Sequence, residues 1–264
     1  MKRRRFLQLA GTAAAAGAVR TSALASLWHD RGVFIAIGDQ SLCAEDAIRV
    51  RSGEHVRFHF VHAGASEDIQ LHLPGHRFTV VALDGNTVPT AAAVDVLSLA
   101  PGERIDAVVK MVNPGNWILG SLDDAERDRG RKLRVAYVSE AGPAQWHPPA
   151  AVDWCYARFS AMHRTVPPPD QTIGMLLEKK PGMGDRSLHW IIDGESCPNL
   201  DHLSFQPGVR YRLRMMNATH RAHPVRLHHH DLALTRVNQV PVSGIIKTTV
   251  RLERYNVIEA DVLA

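Results

Sequence analysis

The densest group of metal-ligating side chains lies in the stretch His223-Pro224-Val225-Arg226-Leu227-His228-His229-His230. Neutral imidazole is a good ligand for copper, nickel and zinc. Successive side chains of a β-strand point to opposite faces of the sheet, so histidines at alternate positions share one face. On a strand, His228 and His230 would therefore lie together while His229 points away, with His220 close by.

The elements that must position these residues are short strands. Apolar and polar residues alternate in segments such as 57–61, 78–83 and 211–215, which is the pattern of half-buried strands. Turn sequences such as Pro101-Gly102 and Asn113-Pro114-Gly115 separate the segments. Many short strands joined by such turns predict an all-β Greek-key sandwich or barrel.

The chain also contains an internal repeat. Residues 34–41 are echoed by residues 190–196, and residues 53–63 are echoed by residues 208–218, at an offset of 155 or 156 residues. A nearly constant offset over two separate blocks is typical of a duplicated domain. The sequence therefore predicts two similar all-β domains.

The N-terminus has the features of an export signal. A basic stretch, Lys2 to Arg5, is followed by Phe6-Leu7, an alanine-rich run and the small-x-small sequence Ala23-Leu24-Ala25. Paired arginines before Phe-Leu are typical of the twin-arginine route, so we predict a signal peptide over residues 1–25 and a periplasmic or otherwise exported protein. The alternative is a membrane anchor, but residues 7–19 are too few and too alanine-rich to span a bilayer. No integral membrane segment is expected after removal of the signal.

Net charge and cysteine content exclude several classes of protein. Five of the 31 Lys+Arg residues lie in the first 25 positions, so 26 basic residues remain against 27 Asp+Glu. A nearly neutral chain offers no polyanion-binding surface, and no nucleic-acid partner is expected. The three cysteines, Cys43, Cys155 and Cys197, contain no C-x-x-C pair, which argues against a disulfide framework or a thiolate zinc site. One disulfide remains open.

Several blocks resemble the multicopper oxidases, which are built of cupredoxin domains. The block from Val61 to Gly85, then residues 99–106 and 113–117, is similar to the middle domain of that family, and Tyr211 to Lys247 is similar to the start of its C-terminal copper domain. The resemblance implies two cupredoxin-like Greek-key sandwich or barrel domains, the second incomplete. It divides the chain into a signal peptide (1–25), a cupredoxin-like domain of the copper-free type (26–150), a linker region (151–187) and a truncated cupredoxin-like domain (188–264).

The resemblance further implies a copper cofactor and an oxidoreductase that couples substrate oxidation to oxygen reduction. In the family, His-Pro-x-His-x-His supplies one type 1 and two trinuclear copper ligands, so His223 matches the first and His228 one of the others, and His230 completes the candidate metal set. Arg226 occupies the middle position, and a guanidinium has no lone pair for a metal. The family's His-Cys-His does not occur in these 264 residues. A complete copper site is therefore not expected, and the chain alone is expected to be inactive, with no catalytic residue.

Other polar residues receive structural interpretations. His72 and His76 are expected to be hydrogen-bonded at a strand end rather than to bind a metal, because the resembling domain is copper-free. Arg104 and Asp106 are expected to form an ion pair rather than an acid/base pair. Cys155 and Cys197 are expected to be unreactive, because nothing cationic adjoins them in sequence.

Three functions remain open at this point. The chain is a truncated or split copper oxidase, a copper-free exported cupredoxin scaffold or binding protein resembling the twin-arginine-exported homologues that serve in cell division, or a weak copper-binding or storage protein. An incomplete barrel would expose strand edges and part of its core. We therefore expect residues 188–264 to be marginal alone, and a complementing chain or an oligomer to cover the second domain.

Overall fold

The computed structural model describes residues 31–39, 41–43, 47–65, 67–161, 165–181, 188–192, 195–196 and 204–263. The predicted signal peptide lies outside these residues. The strands of the first half are β1 (Arg31–Ile37), β2 (Leu42–Cys43), β3 (Ile48–Val50), β4 (His55–His62), β5 (Ile69–His72), β6 (Phe78–Leu83), β7 (Asn86–Val94), β8 (Val96–Leu99), β9 (Arg104–Lys110), β10 (Asn116–Ser121) and β11 (Lys132–Tyr137). A short helix, α1 (Asp124–Asp128), lies between β10 and β11.

The second half has the same character. A 3-10 helix (Tyr156–Phe159) precedes the strands β12 (Gln171–Pro181), β13 (Leu188–Ile192), β14 (Glu195–Ser196), β15 (Arg210–Asn217), β16 (His223–Arg226), β17 (Leu232–Val237), β18 (Val240–Pro241), β19 (Ile246–Lys247), β20 (Thr249–Leu252) and β21 (Val257–Leu263). The all-β prediction is confirmed. Among the described residues, no helix has the length and apolar character needed to span a membrane.

The first domain is a sandwich of two sheets. One sheet has the order β2-β1-β4-β9-β6-β7 and the other the order β3-β11-β10-β5-β8. Strand β4 shows why they pack together: Val56, Phe58 and Phe60 are buried, and the residues between them face outward. Burial of alternate apolar side chains from both sheets forms the core and drives the association.

The second domain repeats this pairing. Its large sheet has the order β14-β13-β12-β15-β21-β17-β18, with β19 also on β17, and its small sheet consists of β16 and β20. Strands β4, β5, β6, β8 and β9 correspond to β15, β16, β17, β20 and β21 at offsets of 153 to 155 residues. The second half of the chain therefore repeats the strand arrangement of the first, as the internal repeat predicts.

The repeat pairs one block incorrectly. Strand β1 lies parallel to β4, and the strand in the same place beside β15 is β12, not β13, which contains Trp190. The segment predicted as a linker, 151–187, contains β12 as well as the 3-10 helix, whose Tyr156 and Phe159 are buried. Short alternating apolar segments reveal a strand but not its neighbours, so the sequence could not distinguish these two.

A buried group of charges joins the two domains. The fully buried ammonium of Lys247 lies 3.1 Å from Asp84 Oδ2 and 2.9 Å from Glu103 Oε1, at ion-pairing distance. The hydroxyl of Tyr156 donates to the Glu103 carboxylate and accepts from the backbone N–H of Arg251 at 3.0 Å. We call Asp84, Glu103, Tyr156 and Lys247 the interdomain cluster.

Backbone donors complete the interdomain cluster. Asp84 Oδ2 accepts from the backbone N–H groups of Thr248 and Thr249 at 3.0 and 3.1 Å, and Ala100 N–H donates to Glu103 at 2.7 Å. Buried charges persist in proteins when they are paired and hydrogen-bonded. The two domains are therefore held together by a specific polar contact.

Candidate metal-binding site

His223 is the first residue of β16, opposite Leu252 of β20. Its half-buried ring places Nε2 2.8 Å from Thr219 Oγ1. The Thr219 hydroxyl also donates to the Arg221 carbonyl at 3.1 Å. When its only hydrogen is used there, Oγ1 accepts from His223 Nε2–H, and that nitrogen has no lone pair left for a metal.

The histidines that follow do not continue the strand. Strand β16 ends at Arg226, and His228 and His229 form a turn in which His229 has a φ of 66°. The ring centroids of His228 and His229 are 6.3 Å apart, whereas His230 packs edge-on against Phe205 at 5.5 Å. The expected strand face shared by His228 and His230 is therefore wrong, because the left-handed backbone at His229 breaks the alternation.

These residues do not fit a copper centre of the family type. Arg226 is exposed at the position of the middle histidine, and a guanidinium has no lone pair to donate. Across the described ranges, no three His, Cys, Asp or Glu side chains converge in a way that could hold a metal ion. Cys155 is exposed with a free thiol, and the side chains of Cys43 and Cys197 lie outside the described residues.

His72 and His76 of the first domain differ in their hydrogen bonds. Nδ1 of His76 donates to the Pro74 carbonyl at 2.9 Å, so its Nε2 accepts from the Tyr137 hydroxyl at 2.7 Å. Nδ1 of His72 donates to the Asp95 carbonyl at 2.8 Å. Burial lowers the pKa of both imidazoles and favours their neutral forms. The structural interpretation is confirmed for His76, and for one nitrogen of His72.

The expected ion pair between Arg104 and Asp106 is wrong. Asp106 lies opposite His59 of the adjacent strand, and their side chains are 3.0 Å apart. The backbone N–H of Arg104 donates to Asp84 Oδ1 at 2.8 Å, and its guanidinium donates to the Asp84 carbonyl. Arg104 and Asp106 share one face of the strand because they are two residues apart. Each of them nevertheless binds a residue from a different neighbouring segment, and they do not bind each other.

A cleft of about 760 Å³ lies beside His223. Its walls come from both domains and include Glu67, Asp68, Gln70, Arg221, His223 and Arg254. Arg251 crosses the boundary, with Nε 2.8 Å from Asp68 Oδ2. The residues of this cleft and of the interdomain cluster are distant in sequence and carry no local motif, so neither feature could be predicted from the sequence.

Comparison with known proteins agrees with this architecture. The family model of the multicopper oxidases matches residues 8–140. The multicopper oxidase MmcO of Mycobacterium tuberculosis is 25% identical over 214 residues, which cover 78% of this chain and 40% of that protein. Laccase-15 of Oryza sativa subsp. japonica is 37% identical over 78 residues, which cover 28% of this chain and 13% of that protein.

Solved structures show the same fold. The crystal structure of Fet3p, a multicopper oxidase that functions in iron import, has a TM-score of 0.65 at 12% identity, covering 88% of this chain and 61% of that chain. The multicopper oxidase from Campylobacter jejuni, a metallo-oxidase, has a TM-score of 0.64 at 14% identity, covering 92% of this chain and 60% of that chain.

The fold defines a pair of cupredoxin-like domains. The chain belongs to the multicopper oxidase family, and that family implies copper as the cofactor. It spans about 40% of the length of the mycobacterial relative and about three-fifths of the two solved chains.

Proposed function

We propose that this chain is a multicopper oxidase family member that works as a binding scaffold without the family's type 1 and trinuclear copper centres and does not reduce oxygen by itself. The exposed Arg226, at the position where the family motif has its middle histidine, carries this proposal. A guanidinium stays protonated at any working pH and offers nothing to a copper ion.

The surroundings of the cysteines are the second line of support. A blue copper site requires a cysteine thiolate with two imidazoles. None of the three cysteines in this sequence has a histidine next to it. Cys155, for example, lies between Trp154 and Tyr156. The cleft beside His223, lined by charged residues of both domains, is the place where a scaffold would bind its ligand.

The test is copper reconstitution of the purified protein, followed by its visible spectrum and its oxygen consumption with a phenol. We expect no blue band and no oxygen consumption, with a laccase as the positive control. The variant Arg226→His should remain colourless, because it restores an imidazole but not the thiolate. An intense blue colour together with oxygen consumption by the unmodified chain would overturn the proposal.

A second candidate function is weak copper binding through His223, His228 and His230. The exposed rings of His228 and His229, 6.3 Å apart, favour it, since imidazoles on a turn can bind a metal without a preformed site. Copper affinity measured before and after replacement of His228 and His230 by Ala decides the matter. An unchanged dissociation constant eliminates this candidate.

A complementing chain or a second copy is a further part of the proposal. Strand β5 pairs with β8 on one side and β10 on the other, whereas its counterpart β16 pairs with β20 alone in the described chain. A two-stranded sheet is marginal in water, and a free strand edge accepts another strand. Sedimentation analysis over a range of protein concentrations should show self-association. A protein that stays monomeric at all concentrations would exclude a second copy and leave a different chain as the partner that covers β16.

We also propose export by the twin-arginine route, based on the basic and alanine-rich residues 1–25. The double variant Arg3→Lys/Arg4→Lys should keep the protein in the cytoplasm, and Lys2→Arg serves as the matched control. Cell fractionation measures both. Export of the double variant at the normal level would contradict this route.

A further inference from the structure

His72, in the first domain, has a buried lone pair without a partner. Its Nδ1–H donates to the Asp95 carbonyl at 2.8 Å, which fixes the tautomer and leaves the lone pair on Nε2. The side chain is 4% exposed, and within the described part of the chain Nε2 has no hydrogen-bond partner. An unmatched buried acceptor is costly, so such a group in a native protein usually binds an ordered water or an ion.

A second imidazole is held next to it. Gln145 N–H donates to the Asn116 carbonyl at 2.8 Å, and Ile118 N–H donates to the Gln145 carbonyl at 2.9 Å, so this segment is attached to β10. His147 follows two residues later, and its ring centroid lies 6.5 Å from that of His72. His147 is exposed, whereas His72 is buried, so the pair lies at the edge of the packed core.

Aromatic rings surround the pair. Trp146 lies edge-on to His72 at 5.6 Å, and Trp117 lies edge-on to His147 at 5.8 Å. Arg127 lies over Trp146 at 4.0 Å and restrains the position of that ring. Contacts with these aromatic rings therefore hold the two imidazoles near each other.

We propose that His72 and His147 form a two-imidazole site for a late first-row transition metal ion, with copper as the preferred ion. Metal–imidazole bonds are about 2.0 Å long, so ring centroids 6.5 Å apart accommodate an ion between the rings, with the imidazoles nearly opposite each other. Copper leads in affinity among the divalent ions of this row.

The environment of His72 fits this role. A metal-bound histidine commonly donates its other N–H to a backbone carbonyl, which is the bond that His72 makes to Asp95. Asp95 is itself fixed by an ion pair with Arg77 at 2.7 Å. This site is separate from the residues that carry the proposed function, because it lies in the first domain and uses neither the His223 region nor a thiolate.

The test is titration of the full protein with a copper(II) salt, followed by calorimetry, electron paramagnetic resonance and tryptophan fluorescence. We expect one equivalent to bind with a nitrogen-ligand signature and to quench Trp146 and Trp117. His147→Ala, an exposed substitution that leaves the fold intact, should weaken this binding by at least about 100-fold, since loss of an outer-shell partner alone costs about 10- to 100-fold.

The double variant His228→Ala/His230→Ala is the matched control. It should keep this binding and the quenching, which also separates the site from the weak copper binding proposed for the second domain. Binding that persists in His147→Ala, or that disappears in the double variant instead, overturns the inference. A second variant, His72→Phe, should abolish the nitrogen signature while near-ultraviolet circular dichroism verifies its fold.

Discussion

The role of each imidazole in this protein depends on what its second nitrogen contacts. Both nitrogens of His76 are hydrogen-bonded, one of them to Tyr137 from 61 residues away. His223 is engaged by Thr219, and His72 keeps one lone pair free. The sequence predicted structural histidines in the first domain, but it could not show which nitrogen is satisfied, because the partners come from distant strands.

Burial of histidines predicts how stability depends on pH. The pKa values of His62, His72 and His76 are lowered from 6.5, mainly by desolvation. Below pH 6.5 the unfolded chain therefore binds more protons than the folded chain. The contribution of these imidazoles to the free energy of unfolding is complete above that pH and decreases as the pH falls. We expect the free energy of unfolding, measured in urea, to decrease progressively below pH 6.5.

His76→Gln provides the comparison. The substitution removes one titrating group, so the decrease in stability between pH 6.5 and pH 5 should be smaller than in the unmodified protein, even if the variant is less stable at neutral pH. A pH profile that His76→Gln does not alter would contradict the assignment.

Lys247 offers a test of the interdomain cluster at a single residue. Replacing it with Ala leaves Asp84 and Glu103 buried without their cation, and breaking a buried ion pair costs about 3–5 kcal/mol. Lys132→Ala, whose side chain is 45% exposed, should cost less than about 1 kcal/mol. Equal midpoints of urea unfolding for the two variants would show that the cluster contributes no stability.

The periodicity of the sequence was a good guide to strands and a poor guide to their neighbours. The alternation at residues 57–61, 78–83 and 211–215 coincides with β4, β6 and β15. The pairing of residues 34–41 with 190–196 was wrong, and β12 lay in a predicted linker. Neighbours are set by tertiary contacts that a local pattern does not encode, as the end of β16 at Arg226 also shows.

The turn at Gly244 contacts β7, and a substitution there tests this contact. Gly244 has a φ of +77°, and a Cβ there would lie 2.7 Å from Cγ of Pro89 in β7, whose ring cannot move aside. Gly208 has a φ of +81° and open space around it. Both changes to Ala incur the left-handed backbone cost of about 1–2 kcal/mol, but Gly244→Ala should cost more because of the overlap.

Thermal unfolding of the two glycine variants measures this difference. We expect a lower melting temperature for Gly244→Ala than for Gly208→Ala. Equal melting temperatures would mean that β7 and the turn at Gly244 separate at little cost, and that the contact between the domains is looser than the structure indicates.

The two domains should unfold together. The interdomain cluster and the ion pair between Arg251 and Asp68 cross the boundary. Loss of either domain would therefore leave buried charges of the other without partners. Calorimetry should show one transition for the unmodified protein and a broadened or divided one for Lys247→Ala. Two separate transitions in the unmodified protein would contradict this coupling.

The segment between the domains is part of their contact and not a tether. The hydroxyl of Tyr156 binds both Glu103 and the backbone of Arg251, and Ser160 is bonded to Thr90 on one side and to Ser243 on the other. One domain of a duplicated pair can be replaced by a different domain only if the segment that connects the two also packs against the replacement. Here the connecting segment contacts both domains. Replacing one domain by an unrelated cupredoxin would therefore remove hydrogen-bond partners from this segment, and substitutions in the two copies must remain compatible with each other.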